Sequence, residues 1–238
     1  MTPLHIITPV KDSIDTTLDT IRSVMSSELR MPHRYTVYND FSTAAHTATL
    51  HRAAEEMGFD VVDLSDLTDH PSPNYLLTLR TAQREAIEAG AALCIVESDV
   101  TVKPKTLQAL AESAEWLPQC GIAAAVTVDT QGTVNYPYLH ARKLPQGILP
   151  TDKHCSFCCS LLTPNLLQSY DFNRLDDTKS WFDVTISHQS LHLGLRNYLF
   201  TALPVTHRPH QSRPWKQLKY TNPLLYYWKK YTKGLDKI

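Results

Sequence analysis

Glycine is scarce in this chain of 238 residues, with seven against fifteen prolines. No group of them forms a G-x-x-x-x-G-K-[ST] loop or a G-x-G-x-x-G turn, so the backbone-amide phosphate cradles of P-loop and dinucleotide-binding proteins are excluded. Long apolar runs are missing too. The longest stretch without Asp, Glu, Lys or Arg, from His154 to Tyr170, is broken by three serines, Asn165 and Gln168, and no membrane-spanning helix is expected. The first residues, Met1-Thr2-Pro3-Leu4-His5, lack the basic and apolar regions of a secretory signal. Five cysteines, an odd number, read as reduced thiols and not as a disulfide framework. Together these features predict a cytoplasmic globular protein.

Net charge is also nearly absent, at −1, but its distribution is uneven. Residues 1–150 carry 18 acids against 11 bases, and residues 151–238 carry 6 against 12. A nucleic-acid-binding domain is usually basic as a whole, which argues against nucleic acid as a partner.

What is present is an alternation of strand-like and helix-like segments. Leu4–Thr8 reads as a buried strand, and Ile14, Leu18, Ile21 and Met25 keep helical spacing behind Ser13, an expected N-cap. Strands are expected at 35–38, 59–64, 92–96, 122–128 and 198–203, with helices at 43–57, 74–89, 104–117 and 181–194. Ala92-Leu93-Cys94-Ile95-Val96 is uncharged throughout and fits a central strand covered on both faces. The order βαβα predicts an α/β fold, a mostly parallel Rossmann-like sheet flanked by helices, with ligands at the carboxyl ends of the strands. Residues 130–150 read as a loop-rich stretch.

Polar residues collect at those strand ends: Thr8-Pro9-Val10-Lys11-Asp12, Asn39-Asp40-Phe41-Ser42 and Glu97-Ser98-Asp99. A single acid after a strand is usually a cap or a turn former. Acids two apart at the end of a central strand also suit a hard cation such as Mg²⁺ or Mn²⁺, which can neutralise a diphosphate without backbone amides. His154-Cys155-Ser156-Phe157-Cys158-Cys159 offers Cys-x-x-Cys beside His, but no second cysteine pair is at hand, and the run reads as small apolar fillers on a strand.

On these motifs the chain resembles a family 2 glycosyltransferase of the GT-A fold over roughly residues 4–213. The resemblance rests on Thr8-Pro9-Val10 and Ile21-Arg22-Ser23-Val24, on Asn39-Asp40-Phe41-Ser42 in place of an Asp-Asp-Gly-Ser-type motif, and on Glu97-Ser98-Asp99 in place of Asp-x-Asp. Phe182-Asp183 at the start of a helix ending in Gly194, and His207 with Ser212, follow in order. It implies a divalent metal held by Asp99, Glu97 and His207, and Asp183 as the general base of an inverting transfer. Thr8, Pro9, Val10, Asp12, Asp40, Arg80, Glu97 and Ser98 would bind a nucleotide-diphosphate sugar, UDP-linked, and Trp181 would stack on donor or acceptor. The acceptor would be a glycan or a lipid-linked hydroxyl, in surface polysaccharide synthesis. A nucleotidyltransferase or a non-catalytic binding module of the same fold are the alternatives.

Residues 214–238 form a separate basic, aromatic tail. Asn222-Pro223 reads as a helix cap, and Leu224, Tyr227, Trp228, Tyr231 and Leu235 share one face among lysines. Such an amphipathic helix suits an anionic membrane surface, or else packs on the domain or a second subunit.

Overall fold

The alternation predicted from the sequence is realised in a nine-stranded sheet, ordered β3-β2-β1-β4-β8-β6-β9-β5 with β7 also on β9. The computed structural model describes residues 1–179, 181–208 and 222–232. Its strands are β1 (Leu4–Val10), β2 (His33–Asn39), β3 (Asp60–Asp63), β4 (Ala92–Val96), β5 (Val100–Thr101), β6 (Cys120–Val128), β7 (Ile148–Thr151), β8 (Cys159–Leu162) and β9 (Arg196–His207). Strands β1, β2, β3, β4, β6 and β9 run one way, and β8, β5 and β7 run against them.

Helices cover both faces. α1 (Ile14–Met25), α2 (Ala44–Met57) and α4 (Thr106–Trp116) bury Ile21, Val24, Leu50, Leu107 and Leu110 against the side chains of Leu4, Ile6, Val10, Cys94 and Val96. α3 (Tyr75–Glu88), α5 (Pro164–Ser169) and α6 (Phe182–His192) bury Leu79, Leu166 and Ile186 against Ile7, Leu93, Ile95 and Ile122. Successive β4 residues therefore serve opposite cores, which is why the strand carries no polar alternation.

The departures from expectation have local causes. β1 continues to Val10 through Pro9, which lies past the last β1–β4 pairing at Ile7, where a missing amide is tolerated. β9 continues past residue 203 because Pro204 falls in an irregularity between the Ala125–Phe200 and Thr127–Val205 pairs, after which the ladder resumes. β5, β7 and β8 owe their existence to partners distant in sequence and carry little periodic signal of their own. Ser13 occupies the N-cap position of α1 but makes no side-chain cap bond; its φ is 53°, and that of Asp12 is also 53°.

Gly121 sets the seat of α6. A Cβ at Gly121 would collide with Ser190 Oγ, so the glycine lets this helix lie close on β6 without displacing that side chain. At the far end of the described chain, the helix Pro223–Thr232 starts as expected, with the Leu225 amide donating to Asn222 Oδ1 at 3.1 Å. Its buried aromatic is Tyr226, whereas Leu224, Tyr227 and Trp228, the expected apolar face, are exposed. Ser212 and most of the tail lie outside the described residues. Among the described residues no helix is long and apolar enough to cross a membrane.

One core histidine makes stability depend on pH. His5 on β1 is buried beside Thr36 and near Arg34, and burial first, then the Arg34 charge, lowers its pKa to about 4. The unfolded chain takes up this proton near pH 6.5, the folded chain only near 4. Stability should therefore fall as pH drops from 6.5 to 4, by about 3 kcal/mol, and level off below. Denaturant unfolding of the protein and of His5→Gln across that range checks this: the substituted chain should lose that part of the acid sensitivity.

Candidate functional site

The carboxyl edge of β4 leads directly into Glu97-Ser98-Asp99, and these three residues turn the chain into β5. Two pairings decide what meets them. β4 lies antiparallel to β8 with Val96 opposite Cys159, and the Glu97 amide donates to the Cys158 carbonyl at 3.0 Å. Cys158 consequently faces Glu97, with Sγ 3.3 Å from Oε2. β5 pairs with the end of β9, Val100 opposite His207, and the Arg208 amide donates to the Asp99 carbonyl at 2.9 Å. That register places His207 Nε2 3.5 Å from Asp99 Oδ2. One ligand atom each from Glu97, Cys158 and His207 lie within 4.8 Å of one another.

His207 is oriented for this setting. Its Nδ1 lies 2.8 Å from the Tyr136 carbonyl oxygen, which can only accept, so Nδ1 carries a proton and Nε2 faces the carboxylates. Asn135 Nδ2 donates to the His207 carbonyl at 2.9 Å and holds the same segment. Burial alone would lower the His207 pKa, but the Asp99 hydrogen bond and charge, with Glu97 and the Tyr136 carbonyl, outweigh it and raise it. The buried Cys158 thiol is pushed well above its ordinary value by burial and by the Glu97 charge. Ser98 and Asp99 are buried with it. Three donors of mixed oxygen, sulfur and nitrogen character, beside a second carboxylate, are a chemically suitable set for a divalent cation.

The first two strand ends are differently employed. Asp12 Oδ1 accepts from the Thr43 amide at 2.8 Å and lies 3.0 Å from His46 Nδ1; the Thr43 bond, foremost, lowers its pKa. Asp40 accepts from Ser72 Oγ at 2.7 Å, from the Asn74 amide at 2.9 Å and from Asn74 Nδ2 at 2.9 Å. These bonds tie the starts of α2 and α3 to the edge of the sheet at which the sequence places both carboxylates. Phe41 explains the glycine of the resembled motif: its φ is 55°, in the left-handed region where glycine is at ease and phenylalanine is strained. Lys11 Nζ donates to the Phe41 carbonyl across the same corner. Thr8 and Val10 point into the core, Thr8 Oγ1 2.9 Å from Tyr35 Oη, and Pro9 is half-buried.

Asp183 stands in the first turn of α6, half-buried, its Oδ1 accepting from the Val184 amide at 2.9 Å. Phe182, where an acid often stands in the resembled family, is buried and packs 6.3 Å from the Tyr75 ring, anchoring the helix start. Trp181 precedes it and is half-buried. Arg80 is a brace: its guanidinium donates to the carbonyls of Phe172, Asn173 and Leu175 at 3.2, 3.4 and 3.2 Å, fixing the segment that leads to α6.

Residues 155–158 join the two halves of the site. The Cys155 amide donates to Ser187 Oγ at 2.9 Å, and Ser187 Oγ donates to the Asp183 carbonyl at 2.7 Å. The Ser156 amide donates to Tyr138 Oη at 2.8 Å, and Cys158 then reaches Glu97. Burial lowers the pKa of His154, despite the opposing charge of Asp183 nearby. The sequence offers His154 and Cys158 only as part of a run of small fillers and gives no sign of Tyr136, because no spacing connects Cys158 to Glu97 or Tyr136 to His207.

The topology now decides the comparison. Over 86% of its length the chain matches residues 1–349 of TarS from S. aureus with a TM-score of 0.64 at 15% identity. The fold is GT-A. Mannosyltransferase PcManGT from Pyrobaculum calidifontis, in complex with GDP-Man and Mn²⁺, matches over 99% of this chain at a TM-score of 0.66 and 15% identity. GalNAc-T7 with UDP, GalNAc and Mn²⁺ matches over 87% at 0.64 and 11% identity. The chain covers 60%, 65% and 44% of those three chains respectively, under two thirds of each. No protein-family model matches the sequence, and no curated protein matches it.

Proposed function

We propose that this protein is an inverting, metal-dependent glycosyltransferase of hexosyl or N-acetylhexosaminyl type that uses a UDP-linked sugar. The observation that carries the reading is the gathering of Glu97, Asp99 and His207 at the carboxyl edge of β4 within a GT-A fold. Similar structures hold GDP-Man with Mn²⁺, UDP-GlcNAc, or UDP with GalNAc and Mn²⁺, so nucleotide-sugar chemistry suits the fold.

Glu97, Asp99 and His207 would hold the cation, which when bound supplies positive charge to the leaving diphosphate. The Tyr136 carbonyl fixes the His207 tautomer for that task. The Asp183 carboxylate takes the proton of the acceptor hydroxyl as that oxygen forms its bond to the anomeric carbon. The carbon–oxygen bond to the diphosphate breaks on the opposite face, inverting the configuration. Asp12 and Asp40 shape the nucleoside end by holding the loops after β1 and β2, with Pro9 at its wall and Ser98 between the acids. Trp181 offers a ring beside Asp183 for the acceptor or donor sugar. Residues 1–213 form the catalytic domain, and the tail 214–238 brings it to a lipid-linked or glycan acceptor at the inner face of a membrane, in surface polysaccharide synthesis.

The test is a panel of nucleotide sugars with and without Mn²⁺, read by thermal shift. UDP-sugars with Mn²⁺ should raise the melting temperature, since ligands that bind only the folded state stabilise it. A panel in which no nucleotide sugar gives a metal-dependent shift overturns the proposal.

A further inference from the structure

The sequence alone offers Cys158 as a packing residue, yet it is the thiol that meets the acids. Its Sγ lies 3.3 Å from Glu97 Oε2, and both atoms lie within 4.8 Å of a His207 ring nitrogen. We infer that Cys158 is a metal ligand, and that Glu97, Cys158 and His207 form a mixed oxygen, sulfur and nitrogen site that takes Zn²⁺ or Co²⁺ and discriminates against Mg²⁺. The proposal shares with the transferase reading the assignment of Glu97 and His207 to a cation. It goes beyond that reading in the third ligand and in the choice of ion.

Geometrically, ligands about 2.2 Å from a tetrahedral Zn²⁺ stand about 3.6 Å apart, so atoms already within 4.8 Å of one another need only small side-chain adjustments. Chemically, Mg²⁺ demands oxygen ligands in near-octahedral array, whereas thiolate and imidazole favour Zn²⁺ and its neighbours in the transition series. Three protein ligands are also the number found in open catalytic zinc sites, where a fourth position receives an oxygen from solvent or substrate.

The surrounding shell suits the same three ligands. His207 Nδ1 is held by the Tyr136 carbonyl, which leaves Nε2 as the ligating atom. Ser156 Oγ lies 3.4 Å from Cys158 Sγ and can donate to a thiolate. Asp99 Oδ2, 3.5 Å from His207 Nε2, adds a second carboxylate at the same place. On binding, the sulfur–hydrogen bond of Cys158 is exchanged for a sulfur–metal bond and its proton leaves to solvent; no electrons are transferred. The other cysteines, Cys94, Cys120, Cys155 and Cys159, are buried and outside this group.

The experiment is a Co²⁺ titration of the full chain followed by absorption. A sulfur-to-cobalt charge-transfer band in the near ultraviolet should grow to one equivalent, be abolished by one equivalent of Zn²⁺ and survive excess Mg²⁺. Cys158→Ser should lose the band and bind Co²⁺ at least about 10-fold more weakly, since even outer-shell changes cost that much. Cys155→Ser should keep it. Because Cys158 is buried, the unsubstituted Zn²⁺ protein should also be measured by X-ray absorption, where one sulfur at about 2.3 Å is expected. Co²⁺ bound without a sulfur band, a band that persists in Cys158→Ser, displacement by Mg²⁺, or no Co²⁺ binding would each overturn the inference. If the sulfur band is lacking while Mn²⁺-dependent nucleotide stabilisation is intact, the Cys158 assignment alone fails. A sulfur band with no nucleotide response leaves the cation site standing and removes the transferase reading.

Discussion

Asp183→Asn is expected to leave donor binding unchanged and to lower sugar transfer roughly 10²–10⁴-fold, the usual contribution of a positioned general base. That factor corresponds to about 3–5 kcal/mol of transition-state stabilisation. The substitution is chosen because it keeps shape. An asparagine Oδ1 can still accept from the Val184 amide, so the first turn of α6 retains the bond that Asp183 now makes. Phe182 still packs beside Tyr75, and Gly121 still seats the helix against β6. What is lost is the ability to accept a proton at the attacking oxygen. Steady-state transfer assays paired with donor titration separate the two effects, and near-normal transfer by Asp183→Asn would remove Asp183 from the role of base. Phe182, buried in the core, cannot substitute for it.

Asp99→Asn should abolish the Mn²⁺-dependent thermal shift that nucleotide sugars give the unsubstituted protein. At ligand concentrations a hundred times the dissociation constant that stabilisation is about 2.7 kcal/mol. For a chain of this size it amounts to roughly 5–10 °C. Asp99 is buried, and its carboxylate is one of the two that face His207 Nε2. An amide has the same volume but no charge to offer a divalent cation. The melting temperature of Asp99→Asn without ligand separates loss of binding from loss of fold. A full Mn²⁺-dependent shift in Asp99→Asn would show that the cation, if bound, is held elsewhere.

Much of the site's location is legible in the sequence, because it follows from periodicity. An uncharged five-residue run ending in Glu97 can be read as a central strand delivering acids to the sheet edge, and β4 is Ala92–Val96 as expected. Asp183 is legible as an acid at a helix start for the same reason. The roles of Asp12, Asp40 and Arg80 are not legible. Each has the residue type of a ligand contact, but hydrogen-bond donors or acceptors from distant segments engage them: Thr43 and His46, Ser72 and Asn74, and the carbonyls of Phe172–Leu175. Nothing in the spacing of a single acid distinguishes a carboxylate that caps a helix from one that meets a ligand.

Taken alone, the sequence determined the order of the longer strands and helices, the exclusion of an amide-cradled phosphate through its few glycines, and the arrival of carboxylates at the strand ends. All of these depend on neighbours within a turn or a strand length. Only the tertiary structure decided that Cys158 meets Glu97 across 61 residues and that His207 meets Asp99. Those meetings depend on the β4–β8 and β5–β9 registers, which are set by packing between segments far apart in the chain. In strands as short as β5 and β8 the side-chain pattern is too brief to announce a partner.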